Sequence, residues 1–315
     1  MRYTFLTKYI FKKISYITLL FITVIFISFF ILKLIPCDPV SAMFSPRSPT
    51  KEQRIQKEQE LGLDKPVLEQ FLLYVKNIFS KWEFGKSYFG NKDSALKLFG
   101  TAFFYTFQLA FLSCFFGSLL GVFFGVLAAF YVGTKKSFIL DFVAMVLISA
   151  PTFVIGLFLQ IILAHKFRLF PISGFDTFSQ KILPVLTLSL VVSSSVFKTT
   201  QTTMLDCLEQ PYIKVAYAKG LSKSKIIFKH ALKNALIPIV AHICLIFSFL
   251  ISGSFIVETI YNIKGVGNLV LRSFENRDYP VIQCCIILLA LFIAIWNLFL
   301  DLIYVWLDPK INKKS

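Results

Sequence analysis

Six windows of this sequence hold no Asp, Glu, Lys or Arg over lengths that suit a lipid bilayer. They are Ile14–Leu32, Leu98–Thr134, Phe142–Ala164, Ile182–Phe197, Asn234–Val257 and Tyr279–Leu300. A hydrocarbon core about 30 Å thick takes about 20 apolar residues in a helix. Five windows meet that need. Ile182–Phe197, with 16 residues, must borrow length from Lys198-Thr199-Thr200, whose lysine can snorkel to the interface. Leu98–Thr134 holds 37 residues, too many for one span. Its Gly100 and Thr101 read as an interfacial approach to a helix of about Phe104–Tyr131. Backbone groups in lipid must bond within their own segment, so the expected fold is an all-α integral membrane protein of six transmembrane helices. Only 16% of residues are charged, against about 25% in soluble domains.

The net charge of +16 sits in the segments between these windows. Such placement fits anionic lipid headgroups and topology, and gives no reason to expect nucleic acid. With the N-terminus inside, segments 1–13, 132–137, 198–233 and 307–315 carry 16 Lys and Arg against three acids. The short loops 165–181 and 258–278 carry six basic and four acidic residues. This bias places both termini in the cytoplasm, with 1–13 a cytoplasmic N-terminus and 14–32 an uncleaved first span. Residues 33–97 then form an extracytoplasmic loop, and 98–312 a five-helix core followed by a tail, 313–315.

The long loop has internal order. Pro36, Pro39, Pro46 and Pro49 keep its start extended or turned. Lys51–Leu61 reads as a charged helix. Pro66 opens another, whose apolar positions Val67, Phe71, Leu72, Val75 and Ile78 would lie on the membrane or on the chain's own bundle.

The segment 204–234 is the one basic, water-soluble stretch between two spans. Pro211 suits a first helical position and Gly220 a C-terminal stop, so Pro211–Lys219 reads as a short helix. Ser222 is placed to cap a second helix, Lys223 to Asn234, that runs into the fifth span. Tyr212 offers an anchor, and small Ala216 and Ala218 allow close approach by a partner. Lys214, Lys219, Lys223 and Lys225 keep the hairpin wet. An ordinary positively charged inner loop accounts for the same residues equally well.

The run Tyr212-Ile213-Lys214-Val215-Ala216-Tyr217-Ala218-Lys219-Gly220-Leu221-Ser222, continued by His230-Ala231-Leu232-Lys233-Asn234-Ala235-Leu236-Ile237-Pro238, resembles the ATPase-coupling motif of ATP-binding-cassette (ABC) importer permeases. It is similar to the variant of the oligopeptide/dipeptide family, in the subunit type with a long first outer loop. Further pieces agree in order and spacing: Asp38-Pro39, Leu61-Gly62-Leu63-Asp64-Lys65-Pro66, Phe84-Gly85-Lys86-Ser87, Phe170-Pro171-Ile172-Ser173-Gly174, Asn276-Arg277-Asp278-Tyr279-Pro280-Val281 and Leu307-Asp308-Pro309-Lys310. Lys214 and Val215 replace an acidic and a small residue of the general importer motif, and Cys37 replaces an expected Gly. The resemblance implies a type I importer permease working with a second homologous permease, two cytoplasmic ATPases and an extracytoplasmic substrate-binding protein. It implies peptide as the cargo, with nickel chelates or another small solute as the alternative. ATP and Mg would be bound by the partner subunits, and this chain would hold no cofactor.

Other features are structural on their face. Gly117, Gly121 and Gly125 form a small-xxx-small ridge for close helix packing, within this chain or against a second permease. Ser80–Ser87 falls one glycine short of a phosphate-binding loop and has no strand before it. Asp141 and Asp301 lie near span ends and read as anchors. Three histidines without paired ligands give no metal site, and no hydrolase nucleophile is evident. An autonomous ion-coupled carrier or channel would need more mid-membrane polar groups or an inverted repeat.

Overall fold

The first, fourth and sixth charge-free windows become helices longer than themselves. The computed structural model describes residues 2–34, 39–44, 49–60, 62–89 and 92–307. In chain order the helices are α1 (Arg2–Leu34), α2 (Pro39–Met43), α3 (Lys51–Glu60), α4 (Val67–Lys81), α5 (Ala95–Phe130), α6 (Lys135–Ser149) and α7 (Thr152–Leu159). There follow α8 (Phe178–Leu208), α9 (Pro211–Ala218), α10 (Lys223–Lys225), α11 (Leu232–Gly253), α12 (Phe255–Ile260), α13 (Val266–Glu275) and α14 (Tyr279–Leu307). Pro36, Cys37, Asp38, Pro46, Leu61, Asp308-Pro309-Lys310 and the tail 313–315 lie outside the described residues.

Several boundaries differ from the sequence reading. Gly100 and Thr101 do not interrupt α5, and Thr101 Oγ1 satisfies itself within the helix, donating to Leu98 O at 2.9 Å and to Lys97 O at 3.3 Å. The helix is therefore 36 residues long, about 54 Å. Helix α8 likewise continues through Lys198-Thr199-Thr200 to Leu208, since nothing in that polar stretch breaks a helix before Pro211.

The third window is not one straight span. Pro151 has no N–H to give, and its ring forces Ala150 out of the helical region, to φ −78° and ψ 128°. Helix α6 ends there, and α7, with a π turn at Gln160–Lys166, leaves at 102°. Among the described residues five helices are long and apolar enough to cross a membrane, and six with this bent pair counted as one. The fifth span runs from α10 through a π turn, Ile226–Ala231, into α11 and stops at Gly253. Its expected last residues, to Val257, turn off into α12. Pro39 begins a short helix where extended or turned chain was expected.

The chain divides into two compact units, one of Met1–Phe104 with Gly265–Ile295 and one of Tyr105–Lys264 with Trp296–Ser315. In the first, Phe21, Ile25, Ile78, Phe84, Phe99, Cys284 and Cys285 form a buried core. Helix α4 joins it through Phe71, Tyr74, Val75 and Ile78, while Val67 and Leu72 of the expected apolar set stay exposed. Phe71 packs its ring against Phe29 at 5.3 Å and Phe26 at 5.7 Å. Lys33 Nζ donates to Gln70 Oε1 at 2.6 Å.

In the second unit α8 packs against α6, α7 and α11. Against α5 the approach is backbone to backbone. A Cβ added to Gly117 would stand 2.8 Å from Ser189 O, one on Gly121 2.7 Å from Ser193 O, and one on Gly125 2.6 Å from Thr200 Cβ. All three glycines thus face α8 of the same chain.

Candidate functional site

The hairpin between α8 and α11 is built from local rules. Pro211 stands at the first position of α9, where a missing N–H costs nothing. At the other end Gly220 takes φ +73°. Its N–H donates to Tyr217 O at 2.9 Å, and Leu221 N–H donates to Ala216 O at 3.3 Å. This pair of bonds is a Schellman closure, which satisfies carbonyls that the helix end would leave open. Ser222 then sits at the N-cap position of α10, but its hydroxyl makes no capping bond there. Its carbonyl instead accepts from Ile226 N–H at 3.0 Å.

Burial sorts the residues of α9 into two faces. Ile213 and Ala216 are buried against the chain itself, where α9 packs on the π turn that holds buried Ile226, Ile227 and Ala231. Ala216 is therefore an internal packing residue, not one left free for a partner. Tyr212 holds its phenol near Asn234 of α11 and Cys207 of α8. Burial pushes its pKa up, with Asn234 acting in the opposite direction. Its ring nevertheless stays exposed. The face left open carries Pro211, Tyr212, Lys214, Val215, Tyr217, Ala218 and Lys219. Val215 is 54% exposed and Tyr217 50% exposed, two apolar side chains on an otherwise wet helix.

Lys223 does more than solvate the hairpin. Its Nζ donates to Phe130 O at 2.8 Å and stands 4.9 Å from the Phe130 ring centroid. A cation on the last carbonyls of a helix complements the negative end of its dipole, so Lys223 ties the hairpin to the C-terminus of α5. A rule for helix ends could have suggested such a role, but not which helix.

Sequence reasoning also missed three polar pairings. Glu258, fully buried, accepts from Thr106 Oγ1 at 2.7 Å and Ser254 Oγ at 2.8 Å. Its only signal was a carboxylate in an apolar stretch. Asp141 of α6 accepts from Gln201 Nε2 at 3.0 Å and lies 3.6 Å from Lys198 Nζ, as an anchor near a span end should. In the first unit Ser87 hydrogen-bonds Asp278, so the Ser80–Ser87 stretch is a helix end and turn, not a phosphate loop. Asp301 lies half-buried on α14. Among the described residues no group of three or more His, Cys, Asp or Glu could hold a metal ion.

The long apolar helices, with this closed hairpin between two of them, define an integral membrane protein. Residues 121–313 match the binding-protein-dependent transport system inner membrane component family, and residues 5–108 match its N-terminal membrane component; the chain belongs to this family. It is an inner-membrane permease subunit of an ABC importer and not an enzyme. It is 31% identical over 307 residues to the dipeptide transport system permease protein DppB of Lactococcus lactis subsp. cremoris, covering 98% of this chain and 100% of that one. To the glutathione transport system permease protein GsiC of Shigella flexneri it is 32% identical over 308 residues, covering 98% and 99%. An inward-facing MetNI methionine ABC transporter shares its fold with a TM-score of 0.59 at 16% identity, over 67% of this chain and 97% of that one. An amino acid ABC transporter does so with a TM-score of 0.56 over 66% and 93%.

Proposed function

We propose that this permease moves oligopeptides or dipeptides inward and that α9 is the element through which separate ATPase subunits drive it. The hairpin carries the reading. It exposes Val215, Tyr217 and Ala218 to a partner, is separated from α8 by the short turn Glu209-Gln210, and leads through α10 and its π turn without a break into α11. Docking of an ATPase on that face would therefore move two spans together. Peptide as cargo is supported by relatives named for dipeptide and glutathione transport.

In this reading the hairpin and both termini are cytoplasmic and residues 33–97 extracytoplasmic. A second, related permease completes the path, two cytoplasmic ATPases bind ATP and Mg, and an extracytoplasmic binding protein delivers the peptide. Force passes only along packed elements with discrete arrangements. The Schellman closure at Gly220, the buried Ile213 and Ala216, and the Lys223 tie supply the needed rigidity.

The test is co-purification with the ATPases, followed by peptide-stimulated ATP hydrolysis in proteoliposomes. Photo-crosslinkers at Val215 and Tyr217 should capture a nucleotide-hydrolysing protein. Capture of none, or labelling of the hairpin from outside intact cells, would sink the assignment.

A further inference from the structure

The face of α8 that leads from mid-helix toward the hairpin is polar. Ser195, Thr199, Thr202 and Asp206 follow at steps of four, three and four residues. That spacing lines them up over about 16 Å of helix. Ser195 and Thr199 are half-buried, Thr202 and Asp206 exposed. Across the seam, half-buried His242 of α11 brings Nε2 to 3.0 Å from Ser195 Oγ.

The neighbouring faces of α8 at these levels are occupied. Val192, Val196 and Thr200 meet the glycines of α5, and Lys198 and Gln201 turn to Asp141 of α6. Ser195 lies within the charge-free window, while Thr199, Thr202 and Asp206 follow Lys198 at the span end and beyond it; lipid tails offer hydroxyls and a carboxylate no partner, so the row is better placed toward water or another protein. The row passes from half-buried Ser195 and Thr199 to exposed Thr202 and Asp206, and on into the wet hairpin. That gradient fits a vestibule open at the hairpin end and narrowing toward mid-helix better than it fits a dry subunit contact.

We infer that this row lines the inner half of the solute path, and that Ser195 and His242 form the contact a solute meets at its narrow end. Hydroxyls and an imidazole both donate and accept hydrogen bonds, so they replace water around backbone amides without selecting a side-chain charge. The ligand class is a small, amide-rich solute. This assignment deepens the importer reading and rests on it.

The test uses the assembled transporter in proteoliposomes, with a cysteine-free version of this chain as parent. Ser195→Cys, Thr199→Cys and Thr202→Cys are exposed to a charged, impermeant thiol reagent from the hairpin side, beside Phe123→Cys on an exposed apolar face of α5. The inference expects labelling at Thr202 and Thr199, slower labelling at Ser195, none at Phe123, and protection of Ser195 by a peptide cargo. In the natural chain, His242→Leu should raise the KM for uptake by about tenfold, the worth of one neutral hydrogen bond, while His242→Gln stays near the parent value. Unlabelled row positions in a transporter that still takes up peptide would overturn the inference and leave the importer reading intact. Disulfide capture of the second permease at these positions would overturn it too, by making the row a subunit contact. Should the cysteine-free parent be inactive, the His242 pair decides, equal KM values counting against the inference. Absence of ATP-dependent uptake by the natural complex would instead strike the importer reading itself.

Discussion

Ser87 donates its hydroxyl to the carboxylate of Asp278, 191 residues away in the chain. The same carboxylate accepts from the N–H of Tyr88 at 3.2 Å and from that of Val281 in the first turn of α14. Beside them, a Cβ on Gly85 would meet Pro280 Cβ at 3.1 Å. Two short motifs that look unrelated in sequence thus form one buried corner of the first unit. Ser87→Ala leaves a buried acceptor short of a donor, which costs about 1–3 kcal/mol. The loss should appear as earlier exposure of Cys284 and Cys285 to a thiol dye on heating the purified protein, both being buried in that unit's core.

The same corner predicts a pH dependence. Burial pushes the Asp278 carboxyl above its ordinary value, only partly opposed by the bonds from Ser87, Tyr88 and Val281. The folded state therefore binds the proton more tightly than the unfolded state. Stability from this group falls as pH rises from the ordinary carboxylate range through the raised pKa, and is level above it. Asp278→Asn should flatten that part of the melting-temperature profile. An unchanged slope would mean that other carboxyls set it.

The glycines of α5 give a paired test. Gly121→Ala puts a methyl 2.7 Å from a backbone oxygen of α8, whereas Gly100→Ala meets nothing within 4 Å. Overpacking costs about 1–3 kcal/mol, and relief of a helical glycine gains roughly 0.5–1 kcal/mol. Gly121→Ala should lower the melting temperature and Gly100→Ala should hold or raise it. Equal effects would show that the ridge does not pack as described.

Lys223 should matter for its charge. Lys223→Met removes the donor to Phe130 O, while Lys223→Arg keeps a cation and a donor there. A charge at a helix end contributes about 0.3–1 kcal/mol, too little to unfold the chain. Uptake per ATP hydrolysed should fall in the Met variant and hold in the Arg variant. Equal stoichiometry in both would remove Lys223 from the coupling path.

Gly220 separates backbone strain from crowding, because no atom lies within 4 Å of an added Cβ there. A left-handed conformation costs roughly 1–2 kcal/mol for an ordinary L-residue, and Asn adopts it most readily. Gly220→Val should leave ATP hydrolysis running with uptake lost, and Gly220→Asn should retain most uptake. Normal uptake in the Val variant would show that the cap is not needed to pass force.

Much of this arrangement is legible in the sequence because lipid and helix termini impose local rules. Charge-free windows locate the spans, and Pro211 and Gly220 bound α9. Two of the boundary differences share an origin: charge marks no helix boundary unless backbone chemistry makes one. Lys198 lies within α8, and uncharged Pro151 breaks the third span. The site was legible in part. Residue type marks the hairpin as wet, yet only the fold shows that Ile213 and Ala216 face inward while Tyr212, Val215 and Tyr217 face out. Pairings such as Ser195 with His242 or Ser87 with Asp278 join residues far apart in sequence, and no periodicity encodes them.

The close backbone contact between α5 and α8 limits how the transporter can switch. With side chains absent at three successive turns, neither helix can slide past the other without collision, so the two are committed to travel as one plank. Whatever bending the cycle demands is left to the seams where the helical ladder is already irregular, the corner at Pro151 and the wide turn at Ile226–Ala231.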